Sequence, residues 1–264
     1  MSSPPTGTLA RLFDLTGQVA IVTGGSRGLG LQIASALAEF GASLALVARK
    51  KPELDAAVEQ LTRDGRTAVG FAVDLGTPEA AAGLAARVLQ RFGRIDVLVN
   101  NAGASWGAPA EDYPLEGWNK VIDLNLTGLF LLTQAVARDA FLKRGGGAII
   151  NVASVEGLQA HPPNFPGTVA YNASKGAVIS MTRALAAEWG RRNIRVNAIA
   201  PGYFPSKMTK VILEKHSEEI LRQTPLGKLG GDTDLMGAAV LLASQAGGHI
   251  TGQTLVVDGG ASII

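Results

Sequence analysis

Short runs of aliphatic and β-branched residues alternate along the chain with longer stretches in which apolar positions recur every three to four residues. The short runs are typical of buried strands, and the longer stretches are typical of amphipathic helices. The predicted strands are 19–23, 43–48, 67–73, 97–100, 148–152, 195–199 and 254–257. The predicted helices are 29–40, 52–64, 78–92, about 116–144 and 171–191.

Strands and helices that alternate in this way predict an α/β fold with one doubly wound parallel sheet and helices on both faces. No linker rich in Pro, Gly or Ser divides the chain, so we predict a single domain over 15–264 after a mobile tail at 1–14. The irregular stretches 104–114, 154–170 and 203–229 each follow a predicted strand. Because ligands bind outside the carboxyl ends of such strands, these stretches are expected to surround one cleft, with 203–229 as a substrate lid.

The composition is typical of a chain that buries a large interior, with 47% hydrophobic and 17% charged residues. A formal net charge of +2 attracts nucleic acid weakly, so we predict no nucleic-acid partner. The absence of cysteine excludes disulfides, thiolate catalysis and cysteine metal sites, and favours an intracellular setting.

The first residues show no signal-peptide pattern, and we expect a cytoplasmic protein. Apolar runs such as 18–22 are far shorter than the roughly 20 residues of a membrane span, so no membrane partner is predicted. His161, His216 and His249 have no metal-ligand spacing, and we predict no metal site.

A glycine-rich segment follows the first predicted strand and leads into an apolar helix. It reads Thr-Gly-Gly-Ser-Arg-Gly-Leu-Gly over 23–30. Glycines at Gly24, Gly28 and Gly30 allow a tight turn and a close approach of the backbone to phosphate. A diphosphate can then bind at the helix N-terminus, where free N–H groups and the helix dipole favour an anion.

The choice of dinucleotide depends on the end of the second predicted strand. NAD enzymes usually place an acidic residue there to bind the ribose 2′-hydroxyl, whereas this chain has Ala48 followed by Arg49. Arg49 and Arg27 offer planar guanidinium groups suited to a 2′-phosphate. We therefore predict NADP(H), and interpret Lys50 and Lys51 as solvated residues at a helix start.

Tyr171 and Lys175 are four residues apart on a predicted helix and share one face. Most such pairs are ordinary surface residues, but a lysine ammonium about 4–6 Å away would favour the phenolate and lower the tyrosine pKa. Ser154 follows the strand 148–152, at the same edge of the sheet. Asn125 lies inside a predicted helix, where asparagine is unfavourable without a function.

The glycine segment, the Asn-Asn-Ala-Gly run at 100–103 and the Tyr-x-x-x-Lys pair occur in the order typical of the short-chain dehydrogenase/reductase family. The chain resembles this family from about Leu15 to Ile264, which implies a Rossmann-type fold and hydride transfer between a nicotinamide and a carbonyl or alcohol. The resemblance also implies that Tyr171 donates the proton, Lys175 binds the nicotinamide ribose, Ser154 polarises the substrate oxygen and Asn125 supports a water link to the lysine.

The same resemblance implies further cofactor contacts. Asp74 and Leu75 match the family's adenine contact, although a plain helix N-cap explains Asp74 equally well. The remaining implied contacts lie in the glycine segment, the Asn-Asn-Ala-Gly run and the segment after the sixth strand: Ser26, Leu29, Asn101, Ala102, Gly103, Pro201, Gly202, Phe204 and Ser206.

The substrate is less clearly indicated. The segment 156–166 is longer than is usual in the family, and its prolines favour a rigid rim. His161 within it is either a substrate contact or an ordinary loop residue. Five residues are candidates for an apolar pocket, each with packing as the alternative: Trp106, Phe165, Tyr203, Phe204 and Met208.

Two subfamilies resemble this chain: 3-oxoacyl-carrier-protein reductases, including the rhamnolipid type, and gluconate 5-dehydrogenases. Lys207, Lys210 and Lys215 either admit a carrier-bound acyl chain or simply solvate the lid. A non-catalytic nucleotide-binding regulator is disfavoured, because such members typically lose the tyrosine or the lysine. The resemblance also implies a homotetramer, with a dimer next, paired through 116–144, 171–191 and the strand at 252–260.

Overall fold

The computed structural model describes residues 7–63, 65–160, 165 and 167–264. Seven parallel strands form one sheet in the order β3-β2-β1-β4-β5-β6-β7. The strands are β1 Val19–Thr23, β2 Ser43–Ala48, β3 Ala68–Ala72, β4 Val97–Asn100, β5 Gly147–Val152, β6 Ile194–Pro201 and β7 Thr254–Val257. The α-helices are α1 Thr8–Phe13, α2 Gly28–Glu39, α3 Lys51–Arg63, α4 Pro78–Phe92, α5 Leu115–Arg144, α6 Val169–Trp189, α7 Lys210–Arg222 and α8 Met236–Ala243.

The strand order reverses at β1. This strand pairs with β2 on one side and with β4 on the other, in parallel register. The chain therefore winds outward in both directions from β1, and a crevice opens at the carboxyl ends of β1 and β4. The predicted doubly wound sheet is confirmed.

The sheet separates two apolar layers. Along β1, Ala20 and Val22 face a layer that includes α2, α3 and α8, while Val19 and Ile21 face a layer that includes α4, α5 and α6. All four residues are buried. Because both faces are covered, the strands are almost continuously apolar rather than alternating.

Helix α5 spans 30 residues and carries two π-helical segments, Asp123–Gly128 and Ala137–Phe141. Its length and a mean hydropathy of 1.2 over its most apolar window would suit a membrane span, contrary to the expectation drawn from short apolar runs. However, 56% of that window is buried inside the protein, against α4, α6 and the sheet. This burial is typical of a core helix, and it explains the apolar composition of α5 without a membrane.

A cluster of charged residues lies at the amino-terminal ends of the central strands. The buried carboxylate of Asp96 accepts a hydrogen bond from the Val19 backbone N–H at 2.9 Å. The guanidinium of Arg94 donates to both of its oxygens, at 2.8 and 2.7 Å, and Arg144 also donates to it. These bonds join the β4 strand to the start of β1 and the end of α5.

The predicted elements match the observed ones within one or two residues, with three exceptions. Helix α1 lies in the segment 1–14 that was predicted to be a tail, and residues 1–6 lie outside the described residues. Helix α7 lies in the stretch 203–229 that was predicted to be irregular, and α8 follows it. Helix α8 is apolar on nearly all sides and shows no amphipathic period, whereas α7 is amphipathic but buries only Ile220.

Candidate active site

The glycine segment lies between β1 and α2 at the point where the strand order reverses. Gly28 has φ +52°, which favours glycine, and Gly24 also has a positive φ. A Cβ at Gly30 would lie 2.3 Å from the carbonyl oxygen of Gly24, so only glycine allows α2 to pack this closely on the loop. Ser26 is half-buried beside them.

The N-terminus of α2 is open to an anion. Arg27 is the N-cap residue, and its side chain makes no capping hydrogen bond. The N–H groups of Gly28, Leu29 and Gly30 have no partner within the helix, because the first turn of any α-helix lacks one. These donors fit the diphosphate of a dinucleotide.

A second loop, the Asn-Asn-Ala-Gly run after β4, is hydrogen-bonded to this segment. The Oγ1 of Thr23 accepts hydrogen bonds from the backbone N–H groups of Asn101 and Ala102, both at 2.9 Å. The Nδ2 of Asn101 donates to the carbonyl oxygen of Thr23 at 2.9 Å. Thr23 was not singled out from the sequence, although a polar residue at the end of a buried strand was a usable signal.

The two arginines predicted to bind a 2′-phosphate both pair with carboxylates of neighbouring segments. Arg27 pairs with Glu53 at 2.7 Å, and Arg49 lies 3.7 Å from Asp74. Their side chains are 50% and 60% exposed. Surface ion pairs of this kind are weak, so both guanidinium groups can turn to a phosphate.

Asp74 is not the N-cap of the helix that follows it. The N-cap of α4 is Thr77, and the Asp74 carboxylate instead accepts a hydrogen bond from the Gly76 backbone N–H at 3.0 Å. The N-cap explanation of Asp74 is therefore wrong. Leu75 is buried beside it, while Asp74 stays exposed at the edge of the crevice.

Ser154, Tyr171 and Lys175 lie together at the carboxyl end of β5. Ser154 caps the short 3₁₀ turn Val155–Gly157, where its Oγ accepts from the Glu156 N–H at 3.1 Å, and it is hydrogen-bonded to the Tyr171 phenol. The Nζ of Lys175 lies 5.5 Å from the centre of the Tyr171 ring. It donates to the carbonyl oxygen of Val152 at 2.6 Å.

Asn125 lies in the first π-helical segment of α5 and is fully buried. Its Oδ1 accepts from the Ala104 N–H at 2.8 Å, and its Nδ2 donates to the Ala104 carbonyl at 2.9 Å and to Ser174 at 3.0 Å. Asn125 therefore ties the loop after Gly103 to α6. A Cβ at Gly103 would lie 3.4 Å from Asn125 Oδ1 and 3.8 Å from Lys175 Nζ, so this loop borders the tyrosine–lysine pair.

The ionisation of the tyrosine differs from the expectation. Burial raises the pKa of Tyr171 to about 12, a hydrogen bond with Ser154 opposes this rise, and the charge of Glu156 adds to it. Burial also lowers the pKa of Lys175 to about 8. The expected lowering of the Tyr171 pKa is wrong for the protein by itself, because loss of water around the phenol is the largest influence on its pKa.

The segment after β6 approaches the same edge of the sheet. Pro201 ends the strand, and the Gly202 N–H donates to the Val257 carbonyl at 3.0 Å. The Ser206 Oγ accepts from the Thr209 N–H at 3.2 Å. The Phe204 side chain is buried in the core against Gly230, so packing accounts for its ring.

The other candidate pocket residues differ in their surroundings: some pack against neighbouring side chains or backbone, and one is largely exposed. Trp106 packs on Gly117 of α5, with the Lys120 Nζ 4.9 Å from its ring centre. Phe165 stacks on His216 of α7 at 4.3 Å, which joins the rim to the lid. Met208 is 49% exposed.

A cavity of about 1090 Å³ lies between the loop after β4, the turn after Ser154 and the start of α6, and its described lining does not include Ser154, Tyr171 or Lys175. The described residues that line it combine apolar and polar side chains: Gly107, Ala108, Pro109, Glu156, Gly157, Leu158, Gln159, Ala160, Phe165, Gly167, Thr168, Val169 and Asn172. His161 lies outside the described residues. Within the described ranges, no three histidine, aspartate or glutamate side chains are grouped as metal ligands.

Comparison with known proteins agrees with this geometry. Residues 24–262 match the family described as enoyl-(acyl carrier protein) reductase. The chain is 38% identical to gluconate 5-dehydrogenase of Gluconobacter oxydans, over 96% of this chain and 97% of that protein. It is 39% identical to galactitol 2-dehydrogenase (L-tagatose-forming) of Cereibacter sphaeroides, over 96% and 98%.

Two further relatives extend the comparison. A 3-oxoacyl-[acyl-carrier-protein] reductase of Synechocystis is 40% identical, over 93% of this chain and 97% of that protein. The crystal structure of a gluconate 5-dehydrogenase from Burkholderia cenocepacia, in complex with NADP and tartrate, is 34% identical with a TM-score of 0.91, over 97% and 99%. These matches agree with the fold, the glycine segment and the tyrosine–lysine pair. The chain therefore belongs to the short-chain dehydrogenase/reductase family.

Proposed function

We propose that this protein interconverts a ketone and a secondary alcohol with NADP(H), and that its substrate is a small polyhydroxy compound. The observation that carries the proposal is the hydrogen-bonded pair of Ser154 and Tyr171, which lies beside Lys175 at the carboxyl end of β5. The relatives that act on gluconate and galactitol support the substrate class.

Tyr171 is the proton donor in the reductive direction. With its pKa raised to about 12, the phenol is protonated at neutral pH and can deliver its proton to the oxygen of the ketone. Ser154, hydrogen-bonded to the same phenol, holds that oxygen in place. Bound NADPH supplies the hydride.

Lys175 stabilises the phenolate that remains. Its pKa of about 8 leaves most of the ammonium charged at neutral pH, and the bond to Val152 holds the charge beside the ring. By family resemblance, the same ammonium binds the nicotinamide ribose. Asn125 acts as a positioning residue, because its bonds to Ala104 fix the loop that borders the lysine.

The residues at the crevice fit NADP(H). The open N-terminus of α2 suits the diphosphate, Asn101, Ala102 and Gly103 border the adenosine side by family resemblance, and Ser206 lies on the nicotinamide side. Arg27 and Arg49 suit the 2′-phosphate, since each already binds a carboxylate. The NADP complex of the Burkholderia cenocepacia relative supports this assignment.

A 3-oxoacyl thioester is the second candidate substrate, supported by the relative from Synechocystis. Its carrier would need free cations on the lid. Lys207 pairs with Glu53 at 3.3 Å, and Lys210 pairs with Glu214 at 3.8 Å. Exposed ion pairs of this kind are weak, so both lysines stay available to a carrier, and the preference for a polyhydroxy substrate rests on the relatives that act on gluconate and galactitol.

Exposed apolar side chains support the expected homotetramer. On α5, Trp118 and Phe130 are 37% and 38% exposed, and Leu255 of the edge strand β7 is 38% exposed. Large apolar groups on these surfaces are typical of subunit interfaces. We propose a tetramer in the cytoplasm. Light scattering would test the oligomeric state, and a monomer at micromolar protein concentration would contradict the tetramer.

The proposed function is tested by following NADPH absorbance with a panel of ketones, for the native protein and for Tyr171→Phe. We expect turnover of polyhydroxy ketones that falls at least about 1,000-fold in the variant, while the Kd for NADPH stays within about twofold. Substantial turnover by the variant would remove Tyr171 from the mechanism.

A further inference from the structure

A pocket of about 300 Å³ lies at the opposite end of the sheet from the candidate active site. The described residues that line it stand before β1, β4 and β5, near the start of β6 and after α8, and they include Gln18, Arg94, Asp96, Arg144, Arg195 and Gln245. Strand β5 runs from this pocket toward Ser154 over six residues, which is roughly 20 Å. The pocket is therefore separate from the dinucleotide crevice.

The carboxylate in this pocket has no acceptor capacity left. Asp96 is the only acidic residue in the described lining. Its Oδ2 accepts from the Val19 N–H at 2.9 Å and from the Arg94 Nε at 2.8 Å. Its Oδ1 accepts from the Arg94 Nη2 at 2.7 Å and from the Arg144 Nη1. These donors fill the roughly four acceptor positions of a carboxylate, so any further N–H group of the two arginines needs another acceptor.

Both arginines keep donors that these bonds do not use. A guanidinium carries N–H groups on Nε, Nη1 and Nη2. In the hydrogen bonds between described residues, Arg94 uses only Nε and Nη2, and Arg144 uses only Nη1, which also donates to the Ile95 carbonyl at 3.0 Å. The side chains of Arg94 and Arg144 are 46% and 36% exposed, so a small solute can reach them.

The pocket also carries more positive than negative charge. The guanidinium of Arg195 donates to carbonyl oxygens at the carboxyl end of α8, at 2.7 to 3.2 Å, and these oxygens offset its charge. Arg94 and Arg144 share the single carboxylate of Asp96. Burial, and then the charge of Arg94, lower the pKa of Arg144. One positive charge in the described lining is therefore not balanced by a carboxylate.

We propose that this pocket binds a small tetrahedral oxyanion, namely phosphate or the phosphate group of a small ester, between Arg94 and Arg144. Guanidinium groups suit phosphate because their N–H groups can bond its oxygens in pairs. Gln18 and Gln245, whose side chains make no hydrogen bond with a described residue, can add amide donors. A volume of about 300 Å³ is at the lower end for ligand sites, which suits a small ligand rather than a dinucleotide.

The test is isothermal titration calorimetry with sodium phosphate at neutral pH and low salt, in the presence of saturating NADP⁺. The NADP⁺ fills the crevice, so that phosphate does not bind at the N-terminus of α2. We expect one phosphate per chain with a Kd below about 1 mM. Sodium chloride at the same ionic strength measures the general effect of salt.

Two substitutions at Gln245 place opposite charges beside the pocket and leave Arg94, Asp96 and Arg144 in place. Because Gln245 is exposed, both variants should fold. We expect the Kd for phosphate to rise at least about threefold in Gln245→Glu and to fall by a similar factor in Gln245→Lys.

Arg144→Gln removes one of the two guanidinium groups and should raise the Kd for phosphate at least about tenfold. Arg138→Gln, at an exposed arginine of the same helix, is the matched control and should leave the Kd unchanged. Thermal unfolding without phosphate checks that each variant is folded. If Arg144→Gln is unstable, the two Gln245 variants decide the question.

Glycerol phosphate, titrated in the same way, distinguishes the two sources of the phosphate group. Tighter binding of the ester than of inorganic phosphate would support the proposal with an ester as the ligand, and weaker binding would support it with free phosphate. Absence of saturable binding, heat that chloride reproduces, or a Kd that the Gln245 variants leave unchanged would overturn the inference. These measurements do not involve turnover, so the proposed function is tested separately.

Discussion

The Nζ of Lys175 donates a 2.6 Å hydrogen bond to the carbonyl oxygen of Val152. This bond joins α6 to the end of β5, two residues before Ser154. A buried ammonium without such an acceptor would be costly, so the bond keeps the charge where it can act on Tyr171. The sheet thus positions the lysine that the tyrosine needs.

Replacing Lys175 by methionine is expected to lower kcat at least about 100-fold, because the phenolate of Tyr171 loses its nearest positive charge. Steady-state kinetics at saturating NADPH would measure this. Lys210→Met, on the exposed side of α7, is the control and should leave kcat unchanged. Retention of more than about a tenth of the native kcat by Lys175→Met would contradict the role given to the lysine.

The pH dependence of alcohol oxidation should follow the ionisation of Tyr171. Oxidation needs the phenolate, and a pKa raised to about 12 means that the rate rises with pH through the neutral range. Ketone reduction uses the protonated phenol and should not lose activity through Tyr171 in that range. Charged or ionisable neighbours are Lys175 on the same helix, Glu156 after β5 and Tyr203 after β6.

Two substitutions should move this profile in opposite directions. Ser154→Ala removes a hydrogen bond that lowers the Tyr171 pKa, so the rising limb should move to higher pH. Glu156→Gln removes a negative charge that raises it, so the limb should move to lower pH. Tyrosinate absorbance, corrected with Tyr171→Phe, reads the same shifts without turnover; shifts of equal sign would refute this electrostatic account.

Arg49→Ala is expected to lower kcat/KM for NADPH at least about tenfold and to leave kcat/KM for NADH nearly unchanged. The reason is that only NADPH carries the 2′-phosphate that the guanidinium would bind. Arg63→Ala, on the exposed end of α3, provides the control. A native preference for NADH would contradict the assignment of NADP(H).

Asp96→Ala should lower the free energy of unfolding by roughly 3 kcal/mol, because it leaves the Val19 N–H and two arginines without their buried partner. Asp139→Ala, which breaks a more exposed pair with Arg138, should cost less than about 1 kcal/mol. Urea unfolding at a single protein concentration would measure both. If the free energy of unfolding fell by a similar amount in both variants, the Asp96 cluster would contribute no more to stability than an exposed ion pair.

The fold could be predicted from the sequence because local residue patterns indicate its strands, most of its helices and its glycine-rich loop. Alternating apolar runs indicate buried strands, and the glycines at 24, 28 and 30 mark the phosphate loop without any tertiary information. Helix α8 escaped prediction because it has no polar face, whereas α7 is amphipathic and its pattern was a signal that the prediction missed. Periodicity is visible only where a helix has two distinct faces.

The amino-acid sequence by itself determined the order of strands and helices, the phosphate loop, and the presence of Asn125, Ser154, Tyr171 and Lys175. Only the tertiary structure decided how these groups behave. Burial raises the Tyr171 pKa although a lysine is close by, and Asn172 holds Glu156 beside the phenol. Desolvation and contacts between distant segments depend on packing in three dimensions, which local periodicity does not encode.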